Sequence, residues 1–442
     1  MRCRCCWNGR DPLRSIQRRG QSERRQSIQR TTSPSPPQRT GLALAVIGPG
    51  LLVAATGVGA GDLATAGFAG ARLGPVILWA VILGALMKYV LTEALARWQL
   101  ASGQTLIDGV GTRLGRWVLV LFVLYLLPWT WIVSAALLSA TGAATQAMVP
   151  LSLDPTMARV LWASIFSFIA VLLAWRGGFK VFRWVMSAAV IIMVAAVVVS
   201  AAMVDVDWAA AGRGLVVPEV PAVEKGLVWT LALIGGVGGT VTMLCYGYWI
   251  KQSGRDGPDM LSTCRVDLAS GYIMTALFGV AMVIIASGLP TQDGKGVTLI
   301  VSLADTLQSQ LGGIARWVFL IGAWSAIVSS LLGVWQAVPM IFADAIRGAR
   351  GHPSQDADVL EKSPTARITL VLMASLPLIQ VVTPFETVQL IYATVGAIFL
   401  PMLAIATLLL LRTRWCGALA NGPLGIISTV LVLCFFVWMA TL

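Results

Sequence analysis

Eleven apolar runs follow one another along this chain, over residues 43–71, 75–97, 117–148, 159–175, 182–203, 227–250, 267–288, 315–343, 368–382, 387–411 and 423–441. A helix needs about 20 apolar residues to cross the hydrocarbon core of a bilayer. Inside that core every backbone N–H and C=O must be satisfied within the protein, which leaves helices as the spanning element for runs of this length. The expected fold is therefore all-α and integral to the membrane, with about 11 transmembrane helices. Composition agrees: 57% of the residues are hydrophobic and 12% charged, a balance that water-soluble domains do not carry. The longest polar stretch between segments runs only from Arg347 to Arg367, so residues 41–442 read as one transmembrane domain.

Residues 1–40 have a different character. Ten arginines face Asp11 and Glu23 there, which gives +8 of the net +12, and the stretch ends in Ser33-Pro34-Ser35-Pro36-Pro37. It lacks the apolar core of a secretory signal and has too little apolar content to fold. It reads as a disordered Arg-rich cytoplasmic tail able to touch anionic lipid, with no nucleic-acid partner expected. Cys3, Cys5 and Cys6 have no neighbours to complete a metal site, and Cys245, Cys264, Cys416 and Cys434 read as small hydrophobes rather than disulfide partners.

Lys and Arg in short loops set orientation. With the tail inside, the cytoplasmic connections carry Arg113 and Arg116, then Arg176, Lys180 and Arg183, then Lys251, Arg255 and Arg265, then Arg347, Arg350, Lys362 and Arg367, and last Arg412 and Arg414. The opposite loops are poor in basic residues, and one carries Asp205, Asp207, Glu219 and Glu224. The expected location is the cytoplasmic (inner) membrane, multi-pass, with the N-terminus in the cytoplasm and the lipid bilayer as the surrounding partner. No obligate protein partner is evident.

Two segments carry the chemistry. The first contains Gly57-Val58-Gly59-Ala60-Gly61-Asp62, three glycines in five residues and then a carboxylate at the same depth. An unwound turn in hydrocarbon is tolerated where it lines a protein cavity, and an ionisable residue at that depth marks a functional site. The sixth contains Gly235-Gly236-Val237-Gly238-Gly239-Thr240-Val241-Thr242-Met243. Glycines at such spacing also serve plain helix packing. Yet the first and sixth segments hold equivalent places in two five-helix units, which must run in opposite directions because five is odd. Interrupted segments at corresponding positions of inverted halves point to a midplane binding site. Half-helix carbonyls with Asp62 would suit a hard divalent cation; a positively charged organic substrate, or Na⁺ accompanying another solute, would suit them too.

At this point the residues resemble a known family. Gly48-Pro49-Gly50-Leu51-Leu52-Val53, then Gly70-Ala71-Arg72-Leu73-Gly74, Leu78-Trp79, and Arg97 with Ser102-Gly103, are similar to the first two helices of the Nramp divalent-metal transporters. The resemblance runs weakly over residues 42–411. It implies a LeuT-like 5+5 inverted repeat with broken helices 1 and 6, an ion site between them, and import of Mn²⁺ or Fe²⁺ coupled to protons. The departures are informative. The family's Asp-Pro-Gly-Asn falls on Gly59, Ala60, Gly61 and Asp62, so the metal-binding aspartate is replaced by glycine and a new one stands three residues on. The family's Ala-Thr-Val-Met-Pro-His falls on Gly239, Thr240, Val241, Thr242, Met243 and Leu244, which puts Thr242 at the methionine position, or Met243 after a slip of one residue. The third segment has no acidic residue where the family has its proton path, and the family's tenth-helix glutamines fall on Ala393 and Phe399. These losses are similar to those of the Nramp-related magnesium transporters.

The expectation is a secondary transporter moving a divalent ion such as Mn²⁺, Fe²⁺ or Mg²⁺ by alternating access, with proton coupling disfavoured by these losses. The metal would be held by Asp62, Gly59, Gly239, Thr242 and Met243, with Thr56, Thr240, Tyr246, Lys88 and Glu93 in the surrounding shell or pathway. The metal is substrate, and no cofactor is expected. The alternative is a LeuT-fold symporter for an amino acid or other organic solute. Catalysis is not expected, because no Ser-His, Cys-His or metal-ligand arrangement occurs and the one histidine, His352, lies in a loop. Lys88 and Glu93 could pair, but a position near the cytoplasmic end favours snorkelling. Trp129 and Trp131 read as packing aromatics, and Asp305, Asp344 and Glu386 as solvated interfacial groups.

Overall fold

The computed structural model describes residues 48–176, 178–288, 298–383 and 385–441. The expectations for residues 1–40, including Cys3, Cys5 and Cys6, lie outside them. The described part is helical: α1 (Pro49–Gly57), α2 (Ala60–Leu73), α3 (Leu78–Ser102), α4 (Leu106–Arg113), α5 (Arg116–Met148), α6 (Pro155–Arg176), α7 (Gly178–Met203), α8 (Trp208–Val216), α9 (Gly226–Gly236), α10 (Cys245–Gln252), α11 (Leu261–Ser287), α12 (Thr298–Leu311), α13 (Gly313–Ala349), α14 (Ala357–Glu361), α15 (Pro364–Ser375), α16 (Phe385–Leu410), α17 (Thr413–Cys416) and α18 (Pro423–Thr441). By length and composition, nine spans and two bent pairs are able to cross a membrane among the described residues, up to 11 if each pair is one span. The first pair is α1 with α2, bent by 56°. Large side chains such as Phe168, Ile273 and Leu431 are exposed on the outer faces, a costly surface in water and a matched one in lipid.

Packing repeats itself in two halves. The first span, α1 with α2, packs on the seventh, α11; the sixth, α9 with α10, packs in the corresponding way on the second, α3. The first packs on the fifth, α7, and the sixth on the tenth, α16. The third and fourth, α5 and α6, pair as the eighth and ninth do, α13 and α15, and the third and eighth pack on each other. Exchanging each span for the one five along therefore maps these pairings onto themselves. The symmetry lives in packing, where the residue sequence of the two halves shows none.

One boundary differs from expectation in a way that matters. The apolar run of the second span ends at Arg97, but the helix continues from Pro75 through a 3₁₀ turn to Ser102, where Gly103 at φ 68° caps it. Glu93, Arg97 and Gln99 are buried within the bundle rather than marking its edge. Lys88 thus stands at the middle of its span.

Candidate functional site

Both breaks exist, and they cross. α1 stops at Gly57 and α2 starts at Ala60, with an extended Val58 and then Gly59 at φ −156°, ψ −143° between them. α9 stops at Gly236, and the chain passes through Gly238 at φ 82° and Gly239 at φ 76° before a 3₁₀ turn at Val241–Leu244 leads into α10. Those φ values favour glycine. A methyl group on Gly57 would lie 2.6 Å from the backbone carbonyl of Gly238, and one on Gly239 would lie 2.9 Å from the Gly57 Cα. The two unwound turns are in backbone contact, which a side chain at Gly57 would prevent.

Asp62 bridges them. Its side chain is 1% exposed; one carboxylate oxygen accepts the N–H of Gly238 at 2.6 Å and the other accepts the N–H of Gly59 at 3.3 Å. It stands in the first turn of α2, where unpaired N–H groups and the helix dipole favour negative charge. The same carboxylate thus caps one half-helix and fastens the broken loop of another. Each oxygen has a second lone pair beyond the one its N–H partner uses.

Opposite Asp62 lies Lys88. It is fully buried, and its Nζ donates to the carbonyl of Gly235 at 2.8 Å and to the carbonyl of Val237. These carbonyls end α9, where orphan C=O groups and the negative end of the dipole favour a cation. Lys88 and Asp62 take opposite edges of one trans peptide, the ammonium its Val237 carbonyl and the carboxylate its Gly238 N–H. The snorkelling expected of Lys88 is overturned: from mid-span, about 21 Å of helix separates it from Ser102 at 1.5 Å per residue, far beyond the reach of its side chain. Nor does it pair with Glu93, which takes Arg97 and Arg265, both at 2.8 Å.

The remaining candidates divide between the crossing and its two ends. Thr242 faces the crossing, with its hydroxyl 2.6 Å from where a Gly239 Cβ would be; Met243 is fully buried in the apolar core. The carbonyl of Thr56 accepts the Ser330 hydroxyl of α13 at 2.8 Å, while the Thr56 hydroxyl is buried without a partner. Gly59 leaves the space that Ser330 fills. On the α2 side, the Thr240 hydroxyl accepts the indole N–H of Trp129 at 3.2 Å, and the Tyr392 ring covers Gly61.

The α1 side is closed by a second buried carboxylate, which no pattern in the sequence singles out. Asp267 accepts the Gly50 N–H at 2.8 Å, Arg255 at 2.6 Å and the Tyr246 hydroxyl at 3.2 Å. Tyr246 therefore serves this closure and not the crossing. Burial opposes the Arg255 charge, but Asp267 more than offsets that, so the guanidinium is held above its ordinary value. Asp344, expected to be solvated, is 1% exposed and accepts Tyr248 at 2.6 Å, Thr105 at 2.8 Å and Ser354 at 2.7 Å. The long span α13 carries it inside the bundle. Asp305, by contrast, is largely exposed beside Arg316, and the Glu386 side chain lies outside the described set. No three His, Cys, Asp or Glu side chains converge among the described residues, so any cation at the crossing would rest on one carboxylate plus hydroxyl and carbonyl oxygens.

Comparison with known proteins places this geometry. The family model described as "Natural resistance-associated macrophage protein-like" matches residues 50–442. The chain belongs to the Nramp family. Among Nramp relatives, the divalent metal cation transporter MntH of Yersinia enterocolitica is 24% identical over 316 residues, 67% of this chain and 74% of that one. A mutant of the manganese transporter of Eremococcus coleocola superposes with TM-score 0.70 at 16% identity, over 92% of this chain and 88% of that one. MhsT, solved in complex with L-phenylalanine, superposes with TM-score 0.54 at 16% identity, over 91% and 99%. Those structural likenesses establish the fold, a LeuT-type inverted repeat with the first and sixth helices broken. Within it, this Nramp chain holds a lysine ammonium on the carbonyls that end the first half of its sixth span.

Proposed function

We propose that this protein is a secondary transporter that moves a divalent metal ion across the cytoplasmic membrane by alternating access, with its basic loops and N-terminus in the cytoplasm. The observation that carries the reading is the Asp62 carboxylate, buried where two broken helices cross. Nramp membership and relatives named as divalent-metal and manganese transporters support it. The donor set favours hard ions: a hydroxyl at Thr242 and backbone oxygens replace a thioether, which would select soft ions. Proton coupling is disfavoured because α5 has no Asp, Glu or His to relay protons.

Proteoliposomes holding the full chain test this. Mn²⁺ or Mg²⁺ should enter, should fall to background in Asp62→Ala, and should leave internal pH unchanged. Acidification tracking metal entry would overturn the uncoupled form alone. One observation favours the second reading, an organic-solute symporter: the Lys88 ammonium could meet a substrate carboxylate. Amino-acid uptake without metal flux would establish that reading instead.

A further inference from the structure

We infer that Lys88 is a tethered cation that balances the Asp62 charge when no metal is bound, so that the empty carrier can close and return. The inference deepens the metal-transport reading and rests on it. The ammonium sits on the Gly235 and Val237 carbonyls, the cation-attracting end of α9, one peptide away from Asp62, which accepts the Gly238 N–H. Both charges are fully enclosed, Lys88 at 0% and Asp62 at 1% exposure, and the site is closed by Tyr392 and Trp129 on one side and by the Asp267 cluster on the other. This is a closed state whose cation belongs to the protein.

An empty site of this kind faces an electrostatic obstacle. A carboxylate and a set of orphan carbonyls enclosed without a cation are strongly disfavoured, so a carrier with Asp62 alone would close only when loaded. Lys88 removes that restriction, because the pair Asp62 and Lys88 sums to zero charge. The helix behind the ammonium is braced, since the Lys88 carbonyl accepts the Thr92 hydroxyl at 2.8 Å and Thr92 in turn contacts the Tyr272 hydroxyl at 2.7 Å. The four-carbon stem beyond is flexible. An arriving divalent ion at Asp62 brings +2 to a neutral pair, and repulsion drives the ammonium away from it. Metal and lysine then alternate as the counter-charge of Asp62, and the empty carrier returns without a proton.

The distinguishing measurement separates net uptake from exchange. Full-length protein is reconstituted as wild type, Lys88→Met and Lys88→Gln, and Mn²⁺ entry is followed into metal-free vesicles and into vesicles preloaded with Mn²⁺. Exchange does not require the empty carrier to return, whereas sustained net uptake does. In both variants the ratio of net uptake to exchange should fall by about tenfold or more, and Mn²⁺ binding by calorimetry should tighten by about tenfold, as removal of a competing like charge requires. Melting followed in detergent guards against a folding defect: the variants should melt below wild type in a metal chelator and regain most of the gap in saturating Mn²⁺. Equal loss of both transport modes with unchanged Mn²⁺ affinity, or a melting gap that Mn²⁺ leaves in place, would overturn the inference while metal transport by the wild type stood. Absence of Mn²⁺ binding and of both fluxes in the wild type would overturn the transport reading and this inference together.

Discussion

Asp62 on α2 and Gly238 in the broken sixth span, 176 residues apart, are joined by a 2.6 Å hydrogen bond from the Gly238 N–H to the carboxylate. The bond gives Asp62 a structural duty alongside any role as a ligand, and the two duties respond differently to substitution. Asp62→Asn keeps an acceptor oxygen for one N–H but loses the charge. Asp62→Ala orphans the N–H groups of both Gly238 and Gly59, each at a cost of about 1–3 kcal/mol when buried. Both variants also leave Lys88 without its counter-charge. Metal uptake should therefore vanish in both, while the melting temperature should fall further for Asp62→Ala than for Asp62→Asn. Equal melting temperatures would show that the bridging bonds contribute no stability.

The contact between the breaks predicts a steric effect. A methyl at Gly57 would meet the Gly238 carbonyl at 2.6 Å and the Gly239 nitrogen at 2.9 Å, and backbone atoms cannot swing aside. Gly57→Ala should cost at least about 1–3 kcal/mol, the usual range for overpacking, and should force the crossing apart enough to abolish uptake. Gly212 in α8 has open space around its Cβ position, so Gly212→Ala should stay within about 0.5 kcal/mol of the parent with uptake intact. Thermal melting and Mn²⁺ flux on the pair give the comparison.

Much of this architecture is legible in the residues, and the exceptions share a cause. The spans announce themselves by apolar length, and the breaks by clustered glycines such as Gly238 and Gly239, whose positive φ values few other residues adopt. The crossing follows from their equivalent places in two inverted halves. The partners of Lys88, Asp267 and Asp344 are a different matter. Lys88 is held by backbone carbonyls, which any residue supplies, and Asp267 accepts a backbone N–H from 217 residues away. Charges paired inside the bundle, as Glu93 is with Arg97 and Arg265, imitate charges at a membrane edge, and that imitation shortens the expected second span and misplaces Lys88.

The Asp267 cluster joins α1 to α11 through Gly50, Arg255 and Tyr246, so cutting it should favour opening on that face. Removing one partner of a buried charge pair leaves the other uncompensated, and Arg255→Ala does this to Asp267. The native Cys245 and Cys264 are both fully buried and report on the opening when the other five cysteines are replaced by serine. A membrane-impermeant maleimide applied to the Arg255 face should label Arg255→Ala about tenfold faster, the change that a population shift of about 1.4 kcal/mol produces. Unchanged labelling would show that the ion pair does not hold the face closed.

Ion selectivity turns on which of two neighbours faces the crossing. Thr242 places its hydroxyl against Gly239, which touches Gly57, whereas Met243 is fully buried among apolar side chains. Thr242→Met should put a soft thioether beside the crossing and raise the preference for Cd²⁺ over Mg²⁺ by about tenfold or more, since thioethers select soft ions. Met243→Ala should leave selectivity alone and instead lower stability by about 2–5 kcal/mol, the usual cost of emptying a methionine from a core. Calorimetric titration with Cd²⁺ and Mg²⁺, paired with melting curves, separates the two effects. A loss of Cd²⁺ preference in Met243→Ala with no loss of stability would move the ligand position from Thr242 to Met243, and with it the case for a hard-ion site.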